Sequence, residues 1–147
     1  MNPWHSRLSE ILGALCLLTL PCAYLHATEI KSPEDIPGTT KVDAEGLLHL
    51  VETIPDLIII DSRIKLDRKQ GYIQGSQSLP DVETNCSSLA KLISAKNAPT
   101  LFYCNGIKCG RSVKAVRIAL QCGYNKIYWF RGGFEEWKQK NYPFLKE

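Results

Sequence analysis

Cys104 and Cys109 share the eleven-residue stretch "FYCNGIKCGRS", Phe102 to Ser112, with Lys108 and Arg111. An apolar run leads into it and a helix-like pattern follows it. A cysteine at the end of a strand, before a loop and a helix start, is well placed to ionise. Successive loop N–H groups and a helix N-terminus present partial positive charge. Such settings lower a thiol pKa below its free value of about 8.5. Gly106 and Gly110 let the backbone turn so that several N–H groups face one point. Lys108 and Arg111 add full positive charge. The expectation is an anion cradle formed by Asn105, Gly106, Ile107, Lys108, Gly110, Arg111 and Ser112, with the Cys104 sulfur as nucleophile at its base. The plainer reading makes Cys104 a small buried residue capping a strand. Cys109 also admits two readings. It is a resolving thiol that closes a disulfide with Cys104, or a loop residue turned away.

The elements that must position these residues follow in order. Asp43 can cap a helix whose apolar positions are Ala44, Leu47, Leu48 and Val51. "DLIII", Asp56 to Ile60, is a β-branched run, as in a strand buried on both faces of a parallel sheet. Ser78 and Leu79 suggest a short strand, and Leu89, Leu92 and Ile93 a helix. "TLFY", Thr100 to Tyr103, is a second buried strand. Val113 to Gln121 is helical and stops at Gly123. "KIYWF", Lys126 to Phe130, is another strand. Phe134 and Trp137 share a face of a last helix that ends before Pro143. Strands alternating with helices predict a parallel α/β sheet covered on both sides. Ligands bind such sheets beyond the carboxyl ends of the strands. Cys104 sits at one such end; Asp61, Ser62 and Arg63 sit at another.

The remaining polar residues read as support. Asp61 can fix backbone N–H groups or pair with Arg63, holding the loop rather than substrate. Arg131, before Gly132 and Gly133, faces the same end or is a solvated cation. Trp129 and Trp137 read as core or groove aromatics. Cys86 and Cys122 read as buried thiols, able to pair in an oxidising compartment.

The 147 residues and 44% apolar content suit one domain with a true core. A net charge of +3 is too small and scattered for nucleic acid. Arg7, the ten-residue run Ile11 to Leu20, Pro21 and the small residue Ala27 resemble a signal peptide. The run is shorter than the roughly 20 residues that span a bilayer. The expected organisation is a signal peptide over 1–27, a Pro- and Gly-bearing linker over 28–40 and a domain over 41–147. Export to the periplasm or outside, without stable membrane association after cleavage, follows; an uncleaved N-terminal anchor is the alternative. The mature chain keeps one histidine, His49, so a Cys–His dyad is not expected. No His/Cys spacing matches a zinc site.

Three segments resemble the rhodanese family. "LIIIDSRIKLDRKQGYIQGSQSLP" resembles its strand, Asp-x-Arg and "GHIpGA" segment, with Tyr72 in the histidine position. "FYCNGIKCGRS" resembles its active-site loop. "IYWFRGGFEEWKQKNYP" resembles its terminal "L-x-GG-F-x-x-W" signature. Together they cover nearly all of residues 40–145. The resemblance implies a three-layer α/β fold with a mostly parallel five-stranded sheet. It implies sulfur transfer through a Cys104 persulfide, from thiosulfate or a related donor to cyanide or a thiol, such as a protein thiol. No cofactor or metal is implied. The loop departs from the family pattern. Six residues, not five, separate Cys104 from Arg111, and the glycine comes second after the cysteine. A wider cradle is expected.

Three other functions compete. A thiol–disulfide redox protein would use Cys104 and Cys109, although four residues separate them rather than the two of a thioredoxin-type motif. A phosphatase or arsenate-reductase relative would need a Cys-x5-Arg loop. A non-catalytic binding module would be expected to lack the cysteine.

Overall fold

The computed structural model describes residues 32–147. The predicted signal peptide lies outside them. Five parallel strands form the central sheet in the order β1-β5-β4-β2-β3. They are β1 (Thr39–Val42), β2 (Ile58–Asp61), β3 (Gln77–Ser78), β4 (Thr100–Tyr103) and β5 (Ile127–Phe130). The helices are α1 (Ala44–Thr53), α2 (Lys65–Lys69), α3 (Cys86–Leu92), α4 (Arg111–Gln121) and α5 (Gly133–Gln139). This is the predicted three-layer α/β architecture.

Period-two alternation divides the sheet's side chains between two cores. Ile60, Phe102, Ile127 and Trp129 point to one face and pack with Leu89 of α3 and Val113, Val116 and Ala119 of α4. Ile59, Leu101, Tyr103 and Phe130 point to the other. They pack with Ala44, Leu47 and Leu50 of α1 and Phe134 and Trp137 of α5. The strands read as continuous apolar runs because both faces are covered.

Helix α1 begins where Asp43 caps it, its carboxylate accepting from Gly46 N at 2.8 Å. Its buried stripe is Ala44, Leu47 and Leu50. Val51, expected on that stripe, is exposed instead. The expected linker also needs correction. Thr39 and Thr40 belong to β1, paired with Ile127 and Tyr128 of β5. Ile36 is buried in the core. The domain therefore starts before residue 41.

The topology sets the position of the site. From β2 the chain passes to β3 on one side, then returns to β4 on the other. Asp61 pairs with Tyr103 in that register. The switch point lies beyond these carboxyl ends, where a crevice opens in such sheets.

Candidate active site

Cys104 follows β4 directly and is only 1% exposed. Alternation turns it to the α4 side, opposite Tyr103. Its Sγ lies 3.4 Å from Ser112 Oγ, in the first turn of α4, and 3.3 Å from the Cys109 carbonyl oxygen. Trp129 Nε1 donates to Ser112 Oγ at 3.1 Å. A hydroxyl has one proton to give. With the indole N–H donating to its oxygen, that proton is available to the sulfur. The N-terminal end of α4 adds its partial positive charge. Ser112 and the α4 N-terminus thus present positive charge to the Cys104 sulfur, and the Cys109 carbonyl oxygen presents negative charge to it. Trp129, read from sequence as a plain aromatic, is the residue that orients Ser112. The available signal was chemical: a buried indole N–H requires an acceptor.

The loop is held from three sides. Cys109 N donates to Gly106 O at 2.9 Å and closes a turn, so this N–H does not join a convergent set. Ile107 O accepts from both Ser32 N, at 2.8 Å, and Ser32 Oγ, at 2.9 Å. The start of α5 holds the loop's first residues. Phe134 N donates to Cys104 O at 2.9 Å and Glu135 N to Asn105 O at 2.7 Å. That approach needs Gly133, whose φ is +58° and whose added Cβ would strike the backbone of Cys104 and Asn105. Gly106 makes room for a neighbouring side chain. A Cβ there would displace the Glu135 carboxylate, which lies at the end of a flexible side chain. Gly110 faces open space at φ −85°, so neither glycine relies on a left-handed backbone.

The cradle's charge also differs from expectation. Arg111 Nη1 bonds Asp67 Oδ2 at 2.8 Å, and Arg111 Nε lies 4.0 Å from Asp81 Oδ1. Asp67 accepts from Asn105 Nδ2 at 3.0 Å as well. Lys114 reaches Asp81 at 3.3 Å. A cleft of about 490 Å³ lies over the loop, with Lys108, Arg111, Asp81 and Glu135 around Cys109. Cations and carboxylates alternate there, so the mouth is balanced rather than strongly positive. The carboxylates stand far from the loop in sequence, and no local pattern announced them.

Asp61 and Arg63 form a buried pair, with Nε to Oδ1 at 2.8 Å and Nη2 to Oδ2 at 2.6 Å. Burial alone would lower the Arg63 pKa, but the hydrogen bonds and charge of Asp61 reverse this and raise it. Tyr103 OH donates to Asp61 Oδ2 at 2.8 Å. Burial, then the charge of Asp61, pushes the Tyr103 pKa far up, so it stays a neutral donor. Arg63 also reaches Gly71 O, and Arg68 reaches Asp61, Ser76 and Glu147. The network therefore fixes Tyr103, the residue before Cys104, and the segment after β2. Tyr72, in the position of the family's histidine, lies under the Arg68 guanidinium at 3.8 Å.

Arg131 does not join the cradle. Its Nε donates to Pro33 O at 2.7 Å, and Nη2 bonds Ser32 O and Glu34. It clamps the N-terminal segment that in turn holds Ile107.

Two disulfides are present among the described residues. Cys86 and Cys122 are paired, with Cα atoms 5.5 Å apart, joining the start of α3 to the end of α4. Cys86 is exposed and Cys122 half-buried, which corrects the reading of both as buried thiols. Cys104 and Cys109 are also paired, with Cα atoms 6.4 Å apart.

The sequence matches the rhodanese-like domain family over residues 43–140. The chain belongs to that family. It is 22% identical over 125 residues to the uncharacterized protein YibN of Escherichia coli K12, covering 84% of this chain and 85% of that one. The BH2092 protein of Bacillus halodurans superposes with a TM-score of 0.66 at 23% identity, over 74% of this chain and 77% of that one. The polysulfide-sulfur transferase homodimer of Wolinella succinogenes superposes with a TM-score of 0.61 at 21% identity, over 75% and 80%.

Proposed function

We propose that the protein is a sulfurtransferase that carries sulfane sulfur on Cys104. One observation supports this above the others: the Cys104 sulfur lies at the floor of the loop, beside the Ser112 hydroxyl and the N-terminal turn of α4. The name of the Wolinella relative points to the same chemistry. In the reduced protein the Cys104 thiolate attacks the outer sulfur of thiosulfate. The S–S bond of the donor breaks, sulfite leaves with its electron pair, and Cys104–S–S⁻ remains. An acceptor thiolate or cyanide then takes the terminal sulfur and regenerates the thiolate. The Ser112 hydroxyl and the α4 terminus stabilise the negative charge throughout. Because the mouth is charge-balanced, singly charged persulfide donors suit it at least as well as the thiosulfate dianion. The same balance, with Arg111 engaged by Asp67, disfavours a phosphatase-like reading.

A second reading, thiol–disulfide exchange, is favoured by the Cys104–Cys109 pairing itself. Export of the mature domain to an oxidising compartment is proposed with either reading. The Cys86–Cys122 bond supports it, since such bonds persist outside the cytosol.

Thiocyanate formation from thiosulfate and cyanide, with the reduced protein, tests the proposal. Turnover that disappears in Cys104→Ser supports sulfur transfer. Turnover unchanged in Cys104→Ser would exclude this mechanism.

A further inference from the structure

The two loop sulfurs differ sharply in access. Cys104 is 1% exposed, closed over by Ser112 and the Cys109 backbone. Cys109 is half-buried and lines the open cleft beside Lys108 and Arg111. Yet the two sulfurs are bonded, across Cα atoms 6.4 Å apart. The Cys109 N–H bond to Gly106 O holds the turn that brings them together. Cys109 therefore reaches the Cys104 sulfur from inside the loop, and in the paired state Cys109 is the more accessible of the two.

We propose that Cys109 discharges the Cys104 persulfide within the loop, releasing hydrosulfide and closing the Cys104–Cys109 disulfide, and that a thiol from solution resets the pair by attacking Cys109. The inference rests on the sulfur-carrier reading above. It adds a second activity, reduction of sulfane sulfur to sulfide at the expense of thiols.

The steps balance. The Cys109 thiol gives its proton to the outer sulfur of Cys104–S–S⁻, and the resulting thiolate attacks the inner sulfur. The persulfide S–S bond breaks, and its electron pair leaves with the outer sulfur as HS⁻, which keeps its proton. The outer sulfur is reduced, and the two cysteines are oxidised to a disulfide. For the reset, a thiolate RS⁻ attacks Cys109 Sγ, the accessible member. A mixed disulfide forms on Cys109, and Cys104 leaves as thiolate. A second RS⁻ releases RSSR and frees the Cys109 thiolate. Leaving groups of lower pKa depart faster. The Ser112 hydroxyl and the α4 terminus meet the charge that develops on Cys104 as it leaves, so access and chemistry select the same direction. In the paired state Cys104 cannot be loaded, and the supply of thiol then governs the cycle.

The experiment uses reduced full-length protein freed of reductant, thiosulfate labelled at its outer sulfur, and no added thiol. Wild type is expected to release close to one equivalent of labelled sulfide per chain. Trypsin cuts after Lys108, so the new disulfide appears as peptide 97–108 joined to peptide 109–111. Cys109→Ser, at whatever rate it loads, is expected to hold the label on peptide 97–108 and to release sulfide only after a thiol is added. The wild-type arm does not depend on the variant folding. Label retained on Cys104 in wild type, with no sulfide, overturns the inference and leaves the carrier reading intact. Label moved to Cys109 without sulfide release also overturns it, in favour of a relay along the loop. Failure of both proteins to take up label sinks the carrier reading, and the inference with it.

Discussion

Arg131 Nε donates to the Pro33 carbonyl oxygen at 2.7 Å, and one residue earlier Ser32 donates from both its N and its Oγ to Ile107 O in the middle of the loop. An N-terminal segment thus braces the site from outside the sheet. Arg131→Ala is expected to release it. A hydrogen bond from a charged group is worth about 1.5–3 kcal/mol, and a stability loss of that size should appear in urea unfolding. Exchange of the Cys109 amide should accelerate with it. An unchanged exchange rate in a destabilised variant would show that the segment does not brace the loop.

Asp67 pairs with Arg111 at the mouth of the loop. Asp67→Asn is expected to free it and improve the use of thiosulfate. A half-exposed ion pair is worth up to about 1 kcal/mol, so the gain in kcat/KM at low thiosulfate is roughly two- to fivefold. A donor without net charge should gain little. Equal gains for both donors would mean that Arg111 does not meet the anion.

Trp129→Phe keeps the aromatic packing and removes the indole N–H. Ser112 then loses the partner that turns its proton toward Cys104. The pH at which reduced Cys104 ionises should move up, because the sulfur loses an oriented donor. Ultraviolet thiolate titration of a Cys109→Ser background, after the Cys86–Cys122 bond is confirmed intact, reads this shift. No shift would make the Ser112 contact incidental.

The Cys86–Cys122 bond closes a loop with a sequence separation of 36. Chain-entropy arguments assign such a loop about 4 kcal/mol, with measured values often lower. Cys86→Ser with Cys122→Ser should lower unfolding stability by about 2–4 kcal/mol and spare sulfur loading. A loss of loading in a folded double variant would tie this bond to the site.

Much of the fold was legible because both sheet faces are buried. Continuous apolar runs therefore marked β2, β4 and β5, and the order of elements implied where the site lies. Strand β1 escaped notice because "TTKV" is a half-exposed edge that pairs only with β5. Helix α2, "KLDRK", has no apolar period. It is anchored instead by Arg68, through bonds to Asp61 and Ser76. Within the site, Cys104 stood out because strand, loop and helix converge there in sequence. The partners that set its electrostatics did not. Asp67 lies 44 positions from Arg111, Trp129 lies 17 from Ser112, and Ser32 lies 75 from Ile107. Only the folded chain brings those groups together.

The central claim is that Cys104 takes up sulfur first. The most direct measurement is intact mass of the reduced protein after brief exposure to thiosulfate, followed by peptide mapping, in a Cys109→Ser background that cannot discharge internally. A gain of one sulfur atom confined to peptide 97–108, and lost in Cys104→Ser, is the predicted result. A sulfur gain that persists in Cys104→Ser, or that maps to another cysteine, would contradict the account.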